Sequence, residues 1–388
     1  MRKPALAMTA AALAATPLFA ACTENASSAT GDEKDPRTVT VTSSADACKL
    51  SATSAPAGTL TFEVTNTGSE VTEFYLLGAD GMTIKAEIEN IGPSINRKLT
   101  VDAPAGTYVT ACKPGMKGDG IRADFTVDES GDGPTVSADE QQQVATAQAN
   151  YKAYVNDQSD QLVTSTQRFV ALYKAGKDDE ARALYPQARA HWERIETVAE
   201  SFGDLDPLTD AREADLEPGQ KWTGWHRIEK DLWAPAGYRA LTPQQRTAYA
   251  DDLMKNITTL DGRIAGLDYT VDQIANGSRG LLEEVAGGKV TGEEEAWSHT
   301  DLWDFQANVD GARVGWEGVK PIVEAKDPAL AKQLDERFGA LQKLLDRQRS
   351  GNGFAFYDRV SATDKKALSD AVNALSEPLS RLTAAVLS

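Results

Sequence analysis

The stretch Ile121-Arg122-Ala123-Asp124-Phe125-Thr126-Val127-Asp128-Glu129-Ser130-Gly131-Asp132-Gly133-Pro134 is where this chain changes character. Ile121, Ala123, Phe125 and Val127 alternate with polar residues, which places them on one face of an extended strand. Ser130 to Pro134 is a turn-forming linker. Beyond it the apolar period lengthens to three and four: Leu162/Thr166/Phe169/Tyr173, Leu253/Ile257/Leu260/Ile264, Leu330/Leu334/Phe338/Leu341/Leu345 and Leu368/Val372/Leu375/Leu379. That is the period of amphipathic helices. The chain therefore reads as a multidomain protein, all-β first and all-α second.

Upstream of the linker the same alternation recurs at Val39/Val41, Leu60/Phe62/Val64 and Leu99/Val101. Turn signals separate these runs at Ala57-Gly58, Asn66-Thr67-Gly68, Gly92-Pro93 and Pro104-Ala105-Gly106. Short strands at this spacing predict a β-sandwich over residues 38–129, a linker over 130–137 and a helical bundle over 138–388. Thr242-Pro243 and Asp327-Pro328 each pair a capping residue with proline at the first helical position. At the other end, Arg2-Lys3 and the apolar run Ala5 to Ala21 predict a signal peptide over residues 1–21. Its end, Phe19-Ala20-Ala21-Cys22, resembles a bacterial lipobox with Cys22 as the lipidated first residue. Residues 22–37, almost free of large apolar side chains, read as a tether. The mature protein is thus expected outside the cytoplasmic membrane, periplasmic or at the cell surface, with a lipid anchor as its contact with the bilayer.

A formal charge of −18 over 388 residues argues against nucleic acid as a partner, since phosphate binding needs a basic surface. Acidity instead concentrates cations. With Cys22 assigned to lipid, Cys48 and Cys112 remain as one pair in an oxidising compartment, either a disulfide or two soft metal ligands.

The three histidines all fall in the helical half, each beside tryptophan and acid: His191-Trp192-Glu193, Trp225-His226-Arg227-Ile228-Glu229, and Trp297-Ser298-His299-Thr300-Asp301. On a helix, His226 and Glu229 share a face, and Trp222, Trp225 and Trp233 are placed to wall them from water. Glu193, Glu196 and Glu200 fall at i, i+3 and i+7, so one helix would stack them on one face with no lysine between them. A solvated acidic face is the plain reading of such a triad; a cation among the carboxylates is the functional one. The run Glu293-Glu294-Glu295 offers further acids, and helix-start acids favoured by the dipole are its plain reading.

Residues 185–212, 221–233 and 292–321 carry a resemblance. The phrases Trp192-Glu193-Arg194-Ile195-Glu196, Ser201-Phe202-Gly203-Asp204-Leu205-Asp206-Pro207 and Ser298-His299-Thr300-Asp301-Leu302-Trp303-Asp304-Phe305-Gln306-Ala307-Asn308 resemble the imelysin-type helical domain of the EfeO family. Pro56-Ala57-Gly58-Thr59-Leu60-Thr61-Phe62 and Pro104-Ala105-Gly106-Thr107-Tyr108 are similar to cupredoxin strands, although the first module holds no histidine for a type-1 copper site. The resemblance implies an extracytoplasmic iron-binding component that hands iron to a membrane permease with the help of a haem peroxidase. It implies metal ligands at Glu193, Glu196, Asp210, His226 and Glu229, with one more at Glu293 or Glu294. In the sandwich it implies Cys48, Cys112, Glu73 and an acid at Glu87 or Glu89, holding copper or a second iron. Met116 is added to that set from its place after Cys112, not from the family. Two other functions fit parts of the pattern: a metal-dependent peptidase with Glu229 as base, although the His-Glu-x-x-His signature is absent, and a cation-dependent polysaccharide-binding module.

Overall fold

The protein's structure, a computed structural model, describes residues 35–129, 137–216 and 218–388. The leader, Cys22 and most of the tether and linker lie outside the described residues.

Alternation builds the sandwich. Its strands are β1 (Thr38–Ser43), β2 (Cys48–Leu50), β3 (Ser54–Pro56), β4 (Gly58–Asn66), β5 (Thr72–Leu77), β6 (Ile84–Ile91), β7 (Asn96–Ala103), β8 (Gly106–Cys112) and β9 (Ile121–Asp128). One sheet has the order β2-β1-β4-β7 and the other β3-β9-β8-β5-β6. Between them lie Val39, Val41, Leu60, Phe62, Val64, Leu99, Val101, Phe125 and Val127, as the alternation predicts, but not Ile121, which is half-buried, nor Ala123, which is exposed. Phe62 centres this core, with ring centroids 5.2 Å from Phe74 and 5.5 Å from Phe125. The outward residues of β5 and β6 include Glu73, Glu87 and Glu89, since Phe74, Leu76, Ala86 and Ile88 take the inward positions.

The second module is helical: α1 (Ala138–Lys174), α2 (Asp178–Glu193), α3 (Glu196–Glu200), α4 (Asp206–Thr209), α5 (Trp225–Leu232), α6 (Pro243–Ile264), α7 (Val271–Glu284), α8 (Asp301–Lys326), α9 (Pro328–Arg347), α10 (Ala362–Leu379) and α11 (Leu382–Leu387). Both predicted starts are used: Thr242 accepts from the Gln245 amide in a full capping box, and Asp327 accepts from Leu330. α1 packs against α2, α6 and α8, and α7 lies along α8. No described helix is long and apolar enough to cross a membrane.

Residues 36–388 form one compact unit, and polar contacts join sandwich to helices within it. Arg97 pairs with Glu283 at 2.8 Å, the Asp102 amide donates to Asp272, and Asn276 donates to the Thr100 carbonyl. Thr83, just ahead of β6, bridges to Phe202, just after α3. This seam holds the outward acids of β5 and β6 over the ends of α3 and α7.

Candidate metal centre

Sequence spacing predicts one continuous helix face for Glu193, Glu196 and Glu200, and the structure corrects that. α2 ends at Glu193, Ile195 leaves helical geometry at φ −126° and ψ 19°, and α3 restarts at Glu196. The break keeps Glu193 and Glu196 in one buried cluster, while Glu200 lines the space beneath the sandwich. α5 brings His226 and Glu229, both fully buried, and the loop before α8 brings Glu294 and Glu295.

The His226 ring is held between two sets of acids. Its Nε2 lies 3.3 Å from Glu294 and 3.4 Å from Asp210, with no hydrogen bond of good geometry. Its Nδ1 lies 3.4 Å from Glu229, whose other oxygen accepts from the Trp297 and Ser298 amides at 2.9 and 2.7 Å. Oxygens of Glu193, Glu196, Asp210 and Glu294 all approach within 4.8 Å of one another, as do the ligand atoms of Asp210, His226 and Glu294 and those of His226, Glu229 and Glu295. Asp210 and Glu294 belong to both of the first two groups. Trp225 packs on Phe169 and Tyr185, and Trp233 also meets Tyr185, so two of the three tryptophans join one aromatic cluster at α5. Trp222, half-buried, instead meets Trp297 at a tilt, with ring centroids 5.7 Å apart.

Two buried bases share the cluster. Arg189 pairs with Glu193, Asp210, Glu294, Glu295 and Asp304. Lys289 donates to Glu196 at 2.8 and 3.0 Å. Both oxygens of Asp304, one of Glu193 and one of Asp301 remain buried without hydrogen-bond partners. Buried polar atoms of native proteins are nearly always hydrogen-bonded, so these oxygens, two of which have only loose ion pairs to Arg189 and Lys289, could serve a further cation. Hard carboxylates with one borderline nitrogen suit iron better than copper.

Charge regulation points the same way. Burial, then the neighbouring acids, pushes Glu196, Glu295 and Asp304 well above the usual carboxyl range. Burial raises Asp301 to about 6. Burial also opposes ionisation of Glu294, but Lys289 and His226 overcome it and hold that carboxyl well below its ordinary value. For His226, burial and Arg189 favour the neutral ring, yet Glu229, Glu294 and Asp210 prevail and raise it to about 10. A metal ion entering here must displace protons.

Of the predicted residues, Glu193, Glu196, Asp210, His226, Glu229 and Glu294 come together. Glu293 does not: its side chain is exposed, and the loop turns Glu294 and Glu295 inward instead. His191 is taken up by a bond to Gln158, and burial pushes its imidazole down to about 4. Half-buried His299 sits at a left-handed turn of φ 58°, outside the cluster. Sequence reasoning missed Arg189 and Lys289, whereas Asp304 stood in the acidic segment it had singled out as a source of ligands. Arg189 was discoverable, standing one turn before Glu193 on the same helix face.

The predicted sandwich site is not assembled. Cys48 and Cys112 are bonded to each other, so neither offers a thiolate. Cys112 pairs in register with Phe74 and faces the sandwich core, whereas Glu73 points out of the opposite face and accepts from the Tyr75 hydroxyl at 2.6 Å. Glu87 and Glu89 also face outward and, with Glu73, Glu200 and Asp206, line a cavity of about 390 Å³. Strand pleating alone keeps these acids from the cysteines. Met116 is exposed.

Comparison with known proteins agrees with this architecture. Residues 147–382 match the family model described as imelysin, and residues 9–127 match that of the cupredoxin-like domain. A Yersinia pestis protein named iron uptake system component EfeO is 36% identical over 382 residues, 96% of this chain and 95% of that one. Its namesake from Escherichia coli O157:H7 is 35% identical over 350 residues, 89% of this chain and 90% of its own. An Efem/EfeO family lipoprotein of Staphylococcus haemolyticus is 44% identical over 239 residues, 61% of this chain and 82% of its own. The chain belongs to the imelysin family, in the EfeO-type form with a cupredoxin-like sandwich ahead of the helical domain.

Proposed function

We propose that this protein is the extracytoplasmic iron-binding component of a bacterial iron-uptake system. It captures iron at the buried centre and delivers it to a membrane permease, with a haem peroxidase as companion. Cys22 anchors it through lipid and residues 22–37 tether it. The names of its relatives support the uptake role, and the charge balance of the centre carries the metal reading. Among the described residues, nine carboxyls (Glu193, Glu196, Asp210, Asp215, Glu229, Glu284, Glu294, Glu295, Asp304) lie in ion-pair range of four bases (Arg189, Arg212, Lys289 and His226). Burying so many carboxylates is costly; in the metal-free protein the raised carboxyls hold protons, and a bound iron ion would take their place.

In this reading His226 Nε2, Asp210, Glu294 and Glu193 are the ligands and Glu196 borders them. Glu229 stands behind the imidazole as its positioning partner, the usual arrangement for a metal-binding histidine. The test is iron content and iron titration of the mature protein beside His226→Ala and Glu193→Gln/Glu294→Gln. Stoichiometric iron that disappears in both folded variants is the expected result. Iron retained by both would remove the centre from the function.

A further inference from the structure

Lys289 is the part of the centre that iron binding alone leaves unexplained. Its side chain is 1% exposed, and its ammonium stands 3.4 Å from Glu193, 2.8 Å from Glu196, 3.9 Å from Glu284 and 3.9 Å from Glu294. Those four carboxylates belong to two groups. Glu193, Glu196, Asp210 and Glu294 form the inner group, and Glu196, Glu200 and Glu284 the outer one, with oxygens mutually within 4.8 Å in each. Glu196 belongs to both, so Lys289 stands at their junction. One oxygen of Glu193 is buried without a hydrogen-bond partner, and the ammonium is its neighbour. On the outer side, Glu200 and Glu284 line a second cavity together with Glu87 and Glu89 of the sandwich.

The backbone that carries Lys289 is unusual too. α7 does not end in a normal cap but runs into a single π-helical turn, Val285–Lys289. Such turns are uncommon and recur at functional positions. A Cβ on Gly288 would lie 2.9 Å from the Arg212 guanidinium and 3.1 Å from Glu294, so glycine lets the turn press against the centre.

We propose that Lys289 is a tethered counter-cation that competes with iron for the inner carboxylates. This rests on the iron reading given above. In the metal-free protein the ammonium neutralises Glu193, Glu196 and Glu294. When iron takes the inner group, the ammonium withdraws toward Glu284 and Glu200. The step is an exchange of one cation for another, with no covalent bond made or broken. It suits a carrier, because the returning lysine replaces the charge that leaves when iron is handed on.

The experiment is a titration of the parent, Lys289→Met and His226→Ala with Fe³⁺ supplied as citrate, using a coloured chelator as competitor. Lys289→Met should bind iron at least about tenfold tighter, within the range of ordinary coupling between two ligands, and should release it more slowly. Its metal-free form should melt several degrees below the parent, while the loaded forms melt together. Unchanged or weaker iron binding, with both forms destabilised alike, would make Lys289 a structural residue and overturn the proposal. If Lys289→Met does not fold, the parent labelled with ¹⁵N-lysine decides. The Lys289 ammonium signal, assigned with Lys289→Arg, must shift when diamagnetic Ga³⁺ is added, and an unmoved signal overturns the idea. Failure of the iron reading has a different signature: the parent then binds no iron that His226→Ala removes, and the proposal falls with it.

Discussion

Gly224 has no room for a side chain. It precedes α5 at φ 86° and ψ −162°, and a Cβ there would lie 2.0 Å from the Thr209 carbonyl oxygen. That approach sets His226 against Asp210, one residue beyond Thr209. The conformation alone costs a residue with a side chain about 1–3 kcal/mol, and the clash adds to it. Gly224→Ala should therefore lower both the melting temperature and iron affinity; a variant with parental affinity would separate α5 placement from metal binding. Glu229 supports a finer prediction. In Glu229→Gln the carboxamide oxygen can still accept from Trp297 and Ser298, but its NH₂ then faces His226 Nδ1. The ring would carry its proton on Nε2, where the metal binds. Iron affinity should fall about 10–100-fold, the usual effect of losing a supporting hydrogen bond, and the metal-free protein should melt lower as well, because the buried imidazolium loses its carboxylate partner. Parental iron affinity would show that Glu229 does not position the ring. The His-x-x-Glu spacing made this pair legible in the sequence, because three residues on one helix set the distance. Nothing local revealed that Trp297 and Ser298 would turn their amides toward Glu229 from 68 and 69 residues away.

Strand register decides what the cysteines can do. Pairing of Phe74 with Cys112 puts the sulfur inside the sandwich, where it joins Cys48 across 64 residues of chain. Cross-linking a loop of that size stabilises chiefly by restricting the unfolded chain, and its loss typically costs about 2–5 kcal/mol. Cys48→Ala/Cys112→Ala should lower the denaturant midpoint of the sandwich yet keep iron in the helical centre. Loss of that iron would place the sulfurs in the metal chemistry after all. Helices show the same division between local and distant causes. The Thr242 and Asp327 caps were readable because each motif lies within four residues. The break after Glu193 was not, since Glu193-Arg194-Ile195-Glu196 contains neither glycine nor proline. Its physical ground is tertiary: Asn308 of α8 donates to the Glu193 carbonyl and to the Glu196 carboxylate, and so holds the interrupted turn.

Across the whole molecule, the seam between sandwich and helices makes stability depend on pH. Burial, then Glu73 and Glu284, raises Glu87 from its ordinary 4.5 to about 8. Burial, then Asp210 and Glu284, raises Asp206 from 3.8 to about 7. Lys113 works against the first of these shifts and Lys289 against the second, without cancelling either. Both groups bind protons more tightly folded than unfolded. Their stabilisation is complete below about pH 4 and is lost as pH rises through 7 and 8. The metal-free protein should thus melt a few degrees lower at pH 8.5 than at pH 6, and Glu87→Gln/Asp206→Asn should flatten that slope. An equally steep slope in the variant would assign the effect to other groups.

Alternation before residue 129 and the three-to-four period after 137 already specified a sandwich and a helical bundle, because a strand or an amphipathic helix is defined by neighbours a few residues apart. The same locality delivered His226 with Glu229, the helix caps and the acid-rich segments around residues 193 and 294. Tertiary structure alone decided which acids meet. It turned Glu293 outward and Glu294 inward, set Arg189 and Lys289 among the carboxylates, and put the sandwich acids on the face opposite Cys112. The reason is electrostatic. The energy of a buried charge depends on every group within a few ångströms, whatever its distance along the chain.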